Sequence, residues 1–234
     1  TVQSDRKLRE DNETIRREFT ANVSHELKTP LTSISGYAEL IENGMAKQED
    51  VPTCGHRIHK EAQRMITLVS DILQLSELDG MSKQQENSPT ADFVPVDLGV
   101  LVKDVATNMT VNARKAYITL QYKVQPVTVR GSHDLLTELV TNLPGGHVEL
   151  SCGTNADGCP YFCVEDNGIG IPQDSQSRVF ERFYRVDKSR SKATGGTGLG
   201  LAIVKHIAVL HGARIDLEST VGTGTTIRII FPKM

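Results

Sequence analysis

Three stretches of the 234-residue chain bring together residue types that could do chemistry. The first is FTANVSHELKTPLTSISGYAEL, residues 19–40, with an imidazole at His25, a carboxylate beside it at Glu26 and a hydroxyl one helical turn on at Thr29. Such a histidine can act as nucleophile or base, although a lone helical histidine is also an ordinary solvated residue. The second is Asp166-Asn167-Gly168-Ile169-Gly170-Ile171-Pro172. A carboxylate at a strand end can accept from an exocyclic amino group, and glycines let backbone approach a flat ring. The same string is a common turn. The third is Gly195-Gly196-Thr197-Gly198-Leu199-Gly200-Leu201, glycines opening a helix and offering free amides to phosphate. It lacks the Lys-Ser/Thr of a P-loop and does not directly follow a strand. Between the last two lie Phe180-Glu181-Arg182-Phe183-Tyr184-Arg185 and a cationic run through Lys188 and Arg190, with the composition of a lid over a triphosphate or of a plain surface loop.

The elements that must position these groups follow from periodicity. Val23, Leu27, Leu31, Ile34, Ala38 and Ile41 form one apolar stripe within a long helix predicted over residues 2–45, ending at Asn43-Gly44. His25 lies nearly opposite that stripe. Pro30 removes the amide that would bond the Glu26 carbonyl, which predicts a loosened or kinked helix there. Upstream, Leu8, Ile15 and Phe19 mark a sparse heptad seam, expected to be a parallel coiled coil entering over residues 1–18. Ile58, Ala62, Met65, Val69 and Ile72, widened by Ile66 and Leu73, predict a second helix over about 51–77. A two-helix hairpin cannot bury both apolar faces alone, so residues 19–79 are expected to pair as a homodimeric four-helix bundle. His56 and His59 stand at i, i+3 but have no carboxylate or cysteine company, which favours a solvated face over a metal pair.

Residues 80–94 are polar and aperiodic, a linker. A second domain, 95–234, begins with an N-cap at Asp97 and a helix to about Arg114. Strands are predicted at 118–124, 127–130, 147–152, 161–165, 214–218 and 225–231. Helices are predicted from Ser132 or Asp134 through Asn142 and over 199–210. The fold class is therefore an all-α helical hairpin followed by an α/β sandwich, a sheet with helices on one face.

Composition excludes several classes. A formal net charge of -3 gives no basic face for nucleic acid. No apolar run approaches the roughly 18 residues of a membrane span, and the opening residues do not read as a signal peptide. The opening residues read as the middle of a charged helix, so the chain is expected to be a piece of something longer. Cys54, Cys152, Cys159 and Cys163 lack paired CxxC spacing, three of them fall in or beside predicted strands, and all read as buried free thiols of a reducing compartment.

SHELKTPL, DNGIGIP, FERFYR and GGTGLGL, in this order and on these elements, resemble a sensor histidine kinase of two-component signalling. The resemblance spans nearly the whole chain: a dimerisation and phosphoacceptor hairpin, then an ATP-binding domain of the gyrase and Hsp90 kind. It implies that His25 is the phosphoacceptor and that Glu26 bonds its other nitrogen and acts as base. Thr29 matches the position that orients water for dephosphorylating the partner regulator. Asp166 would hold the adenine amino group, with Gly168 and Gly170 shaping the pocket and Asn142 contributing to nucleotide binding. Gly196, Thr197, Gly198, Leu199 and Gly200 would frame the phosphates, and Tyr184, Arg185, Lys188 and Arg190 the lid. ATP and Mg²⁺ are the implied cofactors, and a response-regulator receiver domain the implied partner. The chain would be a cytoplasmic region, with the parent anchored in the bacterial membrane through a part not present here.

One departure stands out. The family helix that carries Asn142 continues to a second asparagine, four residues on, that ligates Mg²⁺, followed by a basic residue. Here Asn142-Leu143-Pro144-Gly145-Gly146 leads straight into a strand, leaving the expected metal ligand absent and the metal site unknown. Roughly ten residues, at about 3.6 per turn, are missing. Either the sequence is closed up over an excised segment, or the deletion is true and Mg-ATP binding is impaired. The competing functional classes are a kinase-impaired scaffold and regulator phosphatase, and a gyrase- or chaperone-type ATPase, against which the SHELKTPL helix argues.

Overall fold

The computed structural model describes residues 2–83, 93–115, 118–142, 148–187 and 196–233, and it divides into two compact units: residues 1–72 with 193–197, and 73–192 with 198–234.

The first unit is a helical hairpin. Helix α1 spans Val2–Glu42 and α2 spans Val51–Lys83. α1 ends where the sequence supplies a residue tolerant of left-handed backbone: Gly44 sits at φ 64°, and the Ala46 amide turns back to the Leu40 carbonyl at 2.9 Å. Pro30 does not break α1, which is continuous through a buried proline. The antiparallel register of the hairpin is fixed by two contacts. Glu26 of α1 meets Arg64 of α2, and the Arg57 guanidinium lies 5.7 Å from the Tyr37 ring centre. Cys54 and Leu68 are buried in it, while Leu31 (56% exposed) and Ile66 (59%) remain open. Leu68 is absent from the stripe read in the sequence; the widening residue Ile66 faces outward. α2 runs six residues beyond the predicted end, so 80–83, read as linker, are helical.

The last turns of α2 belong with the second unit, where Leu75 and Leu78 are fully buried. There β1 (Val94–Asp97) pairs antiparallel with β3 (Thr128–Gly131) as a two-stranded ribbon. β1 escapes periodicity because four residues including Pro95 give no alternation; a proline is tolerated in so short an outlying strand. The main sheet contains β2 (Leu120–Val124), β4 (Val148–Thr154), β5 (Pro160–Asp166), β6 (Arg214–Thr220) and β7 (Gly224–Ile230), in the order β2-β4-β5-β7-β6. All neighbours are antiparallel except β2 and β4, whose connection through β3 and a helix is long enough for a parallel crossover. Helix α3 (Leu98–Lys115) packs on β2 and β4. Helix α4 (His133–Thr141) touches α3 and also α6 (Gly200–Leu210), which lies on β6; α5 is a single turn, Gln173–Gln176. Asp97 caps α3 through its Oδ1, accepting from the Gly99 and Val100 amides at 2.8 and 3.2 Å, and Ser132 caps α4.

Alternation along β7 buries Ile227 and Ile229, and Leu199, Ile203, Ile207, Phe162 and Phe231 are likewise nearly inaccessible. All four cysteines are free. Cys54, Cys152 and Cys163 are buried, whereas Cys159 is only half-buried and lies in the turn before β5. Burial pushes the Cys152 and Cys163 thiols up, as suits inert core groups.

Candidate active site

On α1 the His25 ring is 77% exposed, as its place opposite the apolar stripe predicts. Its Nδ1 lies 3.8 Å from Glu26 Oε1. The Thr29 hydroxyl donates to the His25 carbonyl at 3.3 Å, so its oxygen stays on the histidine's own helix face. The carbonyl of Glu26 is the one deprived of a helical amide by Pro30. Glu26 also has a partner that sequence reasoning missed: its Oε2 is 3.5 Å from the Arg64 guanidinium, and both side chains are largely withdrawn from water (23% and 15% exposed). No spacing rule links residues 26 and 64, since only the length of the 43–50 connection sets which turns of the hairpin face each other. His56 and His59 are exposed, and no cluster of three metal-ligating side chains occurs among the described residues.

The second constellation begins where β5 ends. Asp166 Oδ1 accepts from the Gly168 amide at 2.7 Å, an Asx-type turn that aims the chain out of the sheet. Gly170 adopts φ 69°, and a Cβ there would fall on the Thr220 carbonyl. Gly224, at φ 141°, is equally constrained: a Cβ would fall on the Asp166 carbonyl. The segment around 219–225 thus packs backbone to backbone against the DNGIGIP loop. Ser219 Oγ accepts from the Ile171 amide at 2.8 Å and meets the Thr225 hydroxyl at 2.9 Å; Gln176 Nε2 donates to the carbonyls of Ile171 and Ser219, both at 2.9 Å. Ser219, Gln176, Thr225 and Gly224 were not singled out in the sequence. Gly224 was findable, as the second glycine of Gly222-Thr223-Gly224-Thr225 opening a strand; the others needed the sheet register that sets Thr225 opposite Asp166.

The glycine-rich stretch is placed against two of the predicted residues. Gly200 opens α6, and a Cβ on it would come to 3.3 Å from Asn142 Oδ1, so the end of α4 abuts the start of α6. Asn142 caps α4, its Nδ2 reaching the Glu138 carbonyl at 3.2 Å. The carbonyl of Gly198 accepts from the Phe183 amide at 2.9 Å, with Phe183 the one non-glycine residue at positive φ (63°) among the described residues. A Cβ on Gly198 would approach Arg185 Nε at 3.2 Å. Asp166, Gly168 and Gly170 therefore form one group, and Asn142, Gly198, Gly200, Phe183 and Arg185 a second, both within the second unit. Leu199 is fully buried at the head of α6 and serves packing. Tyr184 stacks under the Arg178 guanidinium, 4.4 Å from its ring centre. Arg182, of the same motif, donates to both oxygens of Asp79 at 2.7 and 2.9 Å, and His206 Nε2 lies 3.1 Å from Asp79 Oδ1.

Gly196 is exposed with open space around it. Thr197 groups with the helical unit, where its hydroxyl donates to Asp71 Oδ2 of α2 at 2.6 Å. Burial holds the Asp71 carboxyl above its ordinary range, the Thr197 hydrogen bond opposing in part. Lys188 and Arg190 lie outside the described residues, as does the segment after Asn142 up to His147.

The first group, a strand-end carboxylate beside backbone positions closed to any side chain, has chemistry suited to a flat base, and the second, built on a glycine-opened helix, has chemistry suited to phosphate. Comparison with known proteins bears on this geometry. Residues 100–234 match the family described as histidine kinase-, DNA gyrase B- and HSP90-like ATPase, and residues 15–80 match the His kinase A (phospho-acceptor) domain. The sensor-like histidine kinase SenX3 of Mycolicibacterium smegmatis is 38% identical over 230 residues, covering 94% of the chain and 58% of that protein. The chain thus spans little more than half the length of this curated relative. Among solved structures, full-length ShkA in complex with AMPPNP is 27% identical with a TM-score of 0.61, over 92% of the chain and 45% of that protein. ThkA, solved in complex with the response regulator protein TrrA, shares the fold at a TM-score of 0.71 and 21% identity, over 97% of the chain and 64% of its own.

Proposed function

Since the chain belongs to the histidine kinase-, gyrase B- and HSP90-like ATPase family, in its sensor histidine kinase branch, we propose that it transfers the γ-phosphoryl group of ATP to His25 and passes it to an aspartate of a response regulator. The observation that carries this reading is the exposed His25 ring with Glu26 at its Nδ1, on a helix of the phospho-acceptor type, in one chain with an ATPase domain.

In this reading Nε2 of His25 attacks the γ-phosphorus. An N–P bond forms, the bond to the β–γ bridging oxygen breaks, and ADP leaves. Glu26, facing Nδ1, holds that nitrogen's proton and stabilises the charge that grows on the ring. Asp166 accepts from the adenine amino group beside Gly168 and Gly170. Gly198, Gly200 and Asn142 face the phosphates, with Arg185 supplying positive charge; little else is needed, because phosphoryl transfer rests on positioning and charge neutralisation. Mg²⁺ would arrive with the triphosphate and neutralise its oxygens, and the side-chain oxygen of Asn142, beside Gly200, would be available to help hold it. ATP use is supported by the family and by the AMPPNP complex of ShkA. Thr29, presented on the His25 face, would orient water for dephosphorylating the regulator.

The open apolar positions Leu31, Ile66, Val69 and Leu73 support pairing of two hairpins into a homodimer. No helix among the described residues is long and apolar enough to cross a membrane. The kinase-impaired scaffold is not favoured, because both kinase domains match and the similar SenX3 is a sensor-like histidine kinase. Incubation with γ-labelled ATP tests the proposal. Acid-labile label on the wild type, lost in His25→Gln while nucleotide binding persists, supports it; label that survives in His25→Gln overturns it.

A further inference from the structure

The Glu26 carboxylate has one oxygen toward each of two basic side chains: Oε1 is 3.8 Å from His25 Nδ1, and Oε2 is 3.5 Å from the Arg64 guanidinium. Neighbouring residues on a helix do not face each other, being separated by about 100°. Helix geometry alone therefore does not bring the Glu26 carboxylate to the His25 ring. What it meets instead is Arg64, on the facing helix, with only 15% of its side chain exposed. A guanidinium so withdrawn from water requires an anionic partner, and among the described residues its ion-pair partner is Glu26. Arg57, one helical repeat away on α2, is exposed and lies over Tyr37, so burial of Arg64 is not a general property of the basic residues on this helix.

We propose that Arg64 is a positioning residue for the phosphoacceptor: it captures Oε2 of Glu26 from across the hairpin, leaving Oε1 as the acceptor for the Nδ1 proton of His25. The inference rests on the reading of His25 as nucleophile and adds to it a partner on the second helix. A carboxylate held on one side samples fewer rotamers, and the oxygen it keeps toward the ring biases imidazole to the Nδ1–H tautomer. That tautomer leaves the Nε2 lone pair free to form the N–P bond. The proton stays on Nδ1 throughout the attack, and Arg64 takes no part in bond making.

Two readouts on the full chain test this. Selective ¹⁵N-histidine labelling reports the tautomer of His25 directly, without needing the ATP site. Initial rates of autophosphorylation at varied ATP separate the limiting rate constant, kcat, from KM. For Arg64→Met, the Nδ1–H population of His25 should fall. The kcat should drop roughly tenfold, below the about 10²–10⁴-fold that a general base contributes outright, with KM for ATP changed less than twofold. Arg64→Lys, which keeps the charge without the fork, should recover part of both effects. Helical circular dichroism equal to wild type confines the result to the site, and if Arg64→Met loses helicity the decision falls to Arg64→Lys and Arg64→Gln. Unchanged ¹⁵N shifts in a folded variant would overturn the proposal, as would an unchanged kcat. A wild type that takes no label while the Arg64→Met tautomer shifts would instead overturn the kinase reading and leave the Arg64 assignment standing.

Discussion

The backbone of Gly224 lies against the carbonyl of Asp166 so closely that no β-carbon fits between them. Asp166 is the last residue of β5 and Gly224 the first of β7, and their strands are hydrogen-bonded neighbours. The carboxylate proposed to read adenine thus owes its position to a residue with no side chain. Gly224→Ala is expected to displace the Asp166 turn and weaken nucleotide affinity by tenfold or more, whereas Gly222→Ala, with open space around it, should fold and bind with a cost near 1 kcal/mol for its φ of 81°. Isothermal titration of each variant with a non-hydrolysable ATP analogue distinguishes them.

Asp71 offers a pH-dependent test of the helical unit. Burial raises its carboxyl above the ordinary 3.8, with the Thr197 hydroxyl opposing. A raised folded-state value means that the folded chain binds the proton more tightly than the unfolded chain. Stability from this group is therefore greatest below pH 3.8 and is lost as pH rises through the folded value. Asp71→Asn keeps an acceptor for Thr197 without the charge. It should raise the melting temperature at pH 7, and the gain should shrink as pH approaches 3.8. A gain that is constant with pH would refute the assignment.

His211 acts in the opposite sense in the second unit. Its Nε2 accepts from the Ser132 amide at 3.3 Å, so Nδ1 carries the hydrogen donated to the Ile207 carbonyl at 2.7 Å. The ring is neutral, stacked on Phe93 at 4.4 Å, and burial lowers its proton affinity below the ordinary 6.5, the Ile207 bond opposing. Here the unfolded chain binds the proton first, so stability is complete above pH 6.5 and is lost as pH falls below it. Thermal melts from pH 7.5 to 5 should show a falling midpoint in the wild type and a flatter profile in His211→Gln.

The short connection after Asn142 makes a prediction about metal. With the segment truly absent, ATP affinity should depend little on Mg²⁺, because the expected second asparagine is gone, and label on His25 should be slow. A mass near 25.7 kDa establishes that nothing is excised, and titration with and without Mg²⁺ then measures the effect. Strong Mg²⁺ dependence at that mass would show that Asn142 suffices.

Arg182 and Asp79 tie the end of α2 into the second unit through a two-armed ion pair joined by His206. Arg182→Ala should speed amide exchange over residues 73–83 with little effect on exchange in β5 and β7. Equal protection in the variant would show that the buried Leu75 and Leu78 hold this segment unaided.

Local order carried much of this molecule into legibility. The stripe from Val23 to Ile41 determined that α1 exists and that His25 faces away from it, because a 3.6-residue period relates side chains a few positions apart whatever surrounds them. Asp97 announced its helix by capping, a contact within three residues, and of the two starts read for the next helix, Ser132 or Asp134, Ser132 is the cap. The four motifs in order identified the family, which the domain matches bear out. What stayed hidden depends on residues distant in the chain. Arg64 meets Glu26 only because a particular loop sets the hairpin register, and Gly224 meets Asp166 only because β7 lies beside β5. The parallel pairing of β2 with β4 and the capture of Asp79 by Arg182 are likewise decided by partners more than twenty residues away. The sequence by itself determined the reactive groups and the helix faces that carry them; tertiary structure alone decided which groups touch, because hydrogen bonds and close backbone contacts depend on distances that no local period encodes.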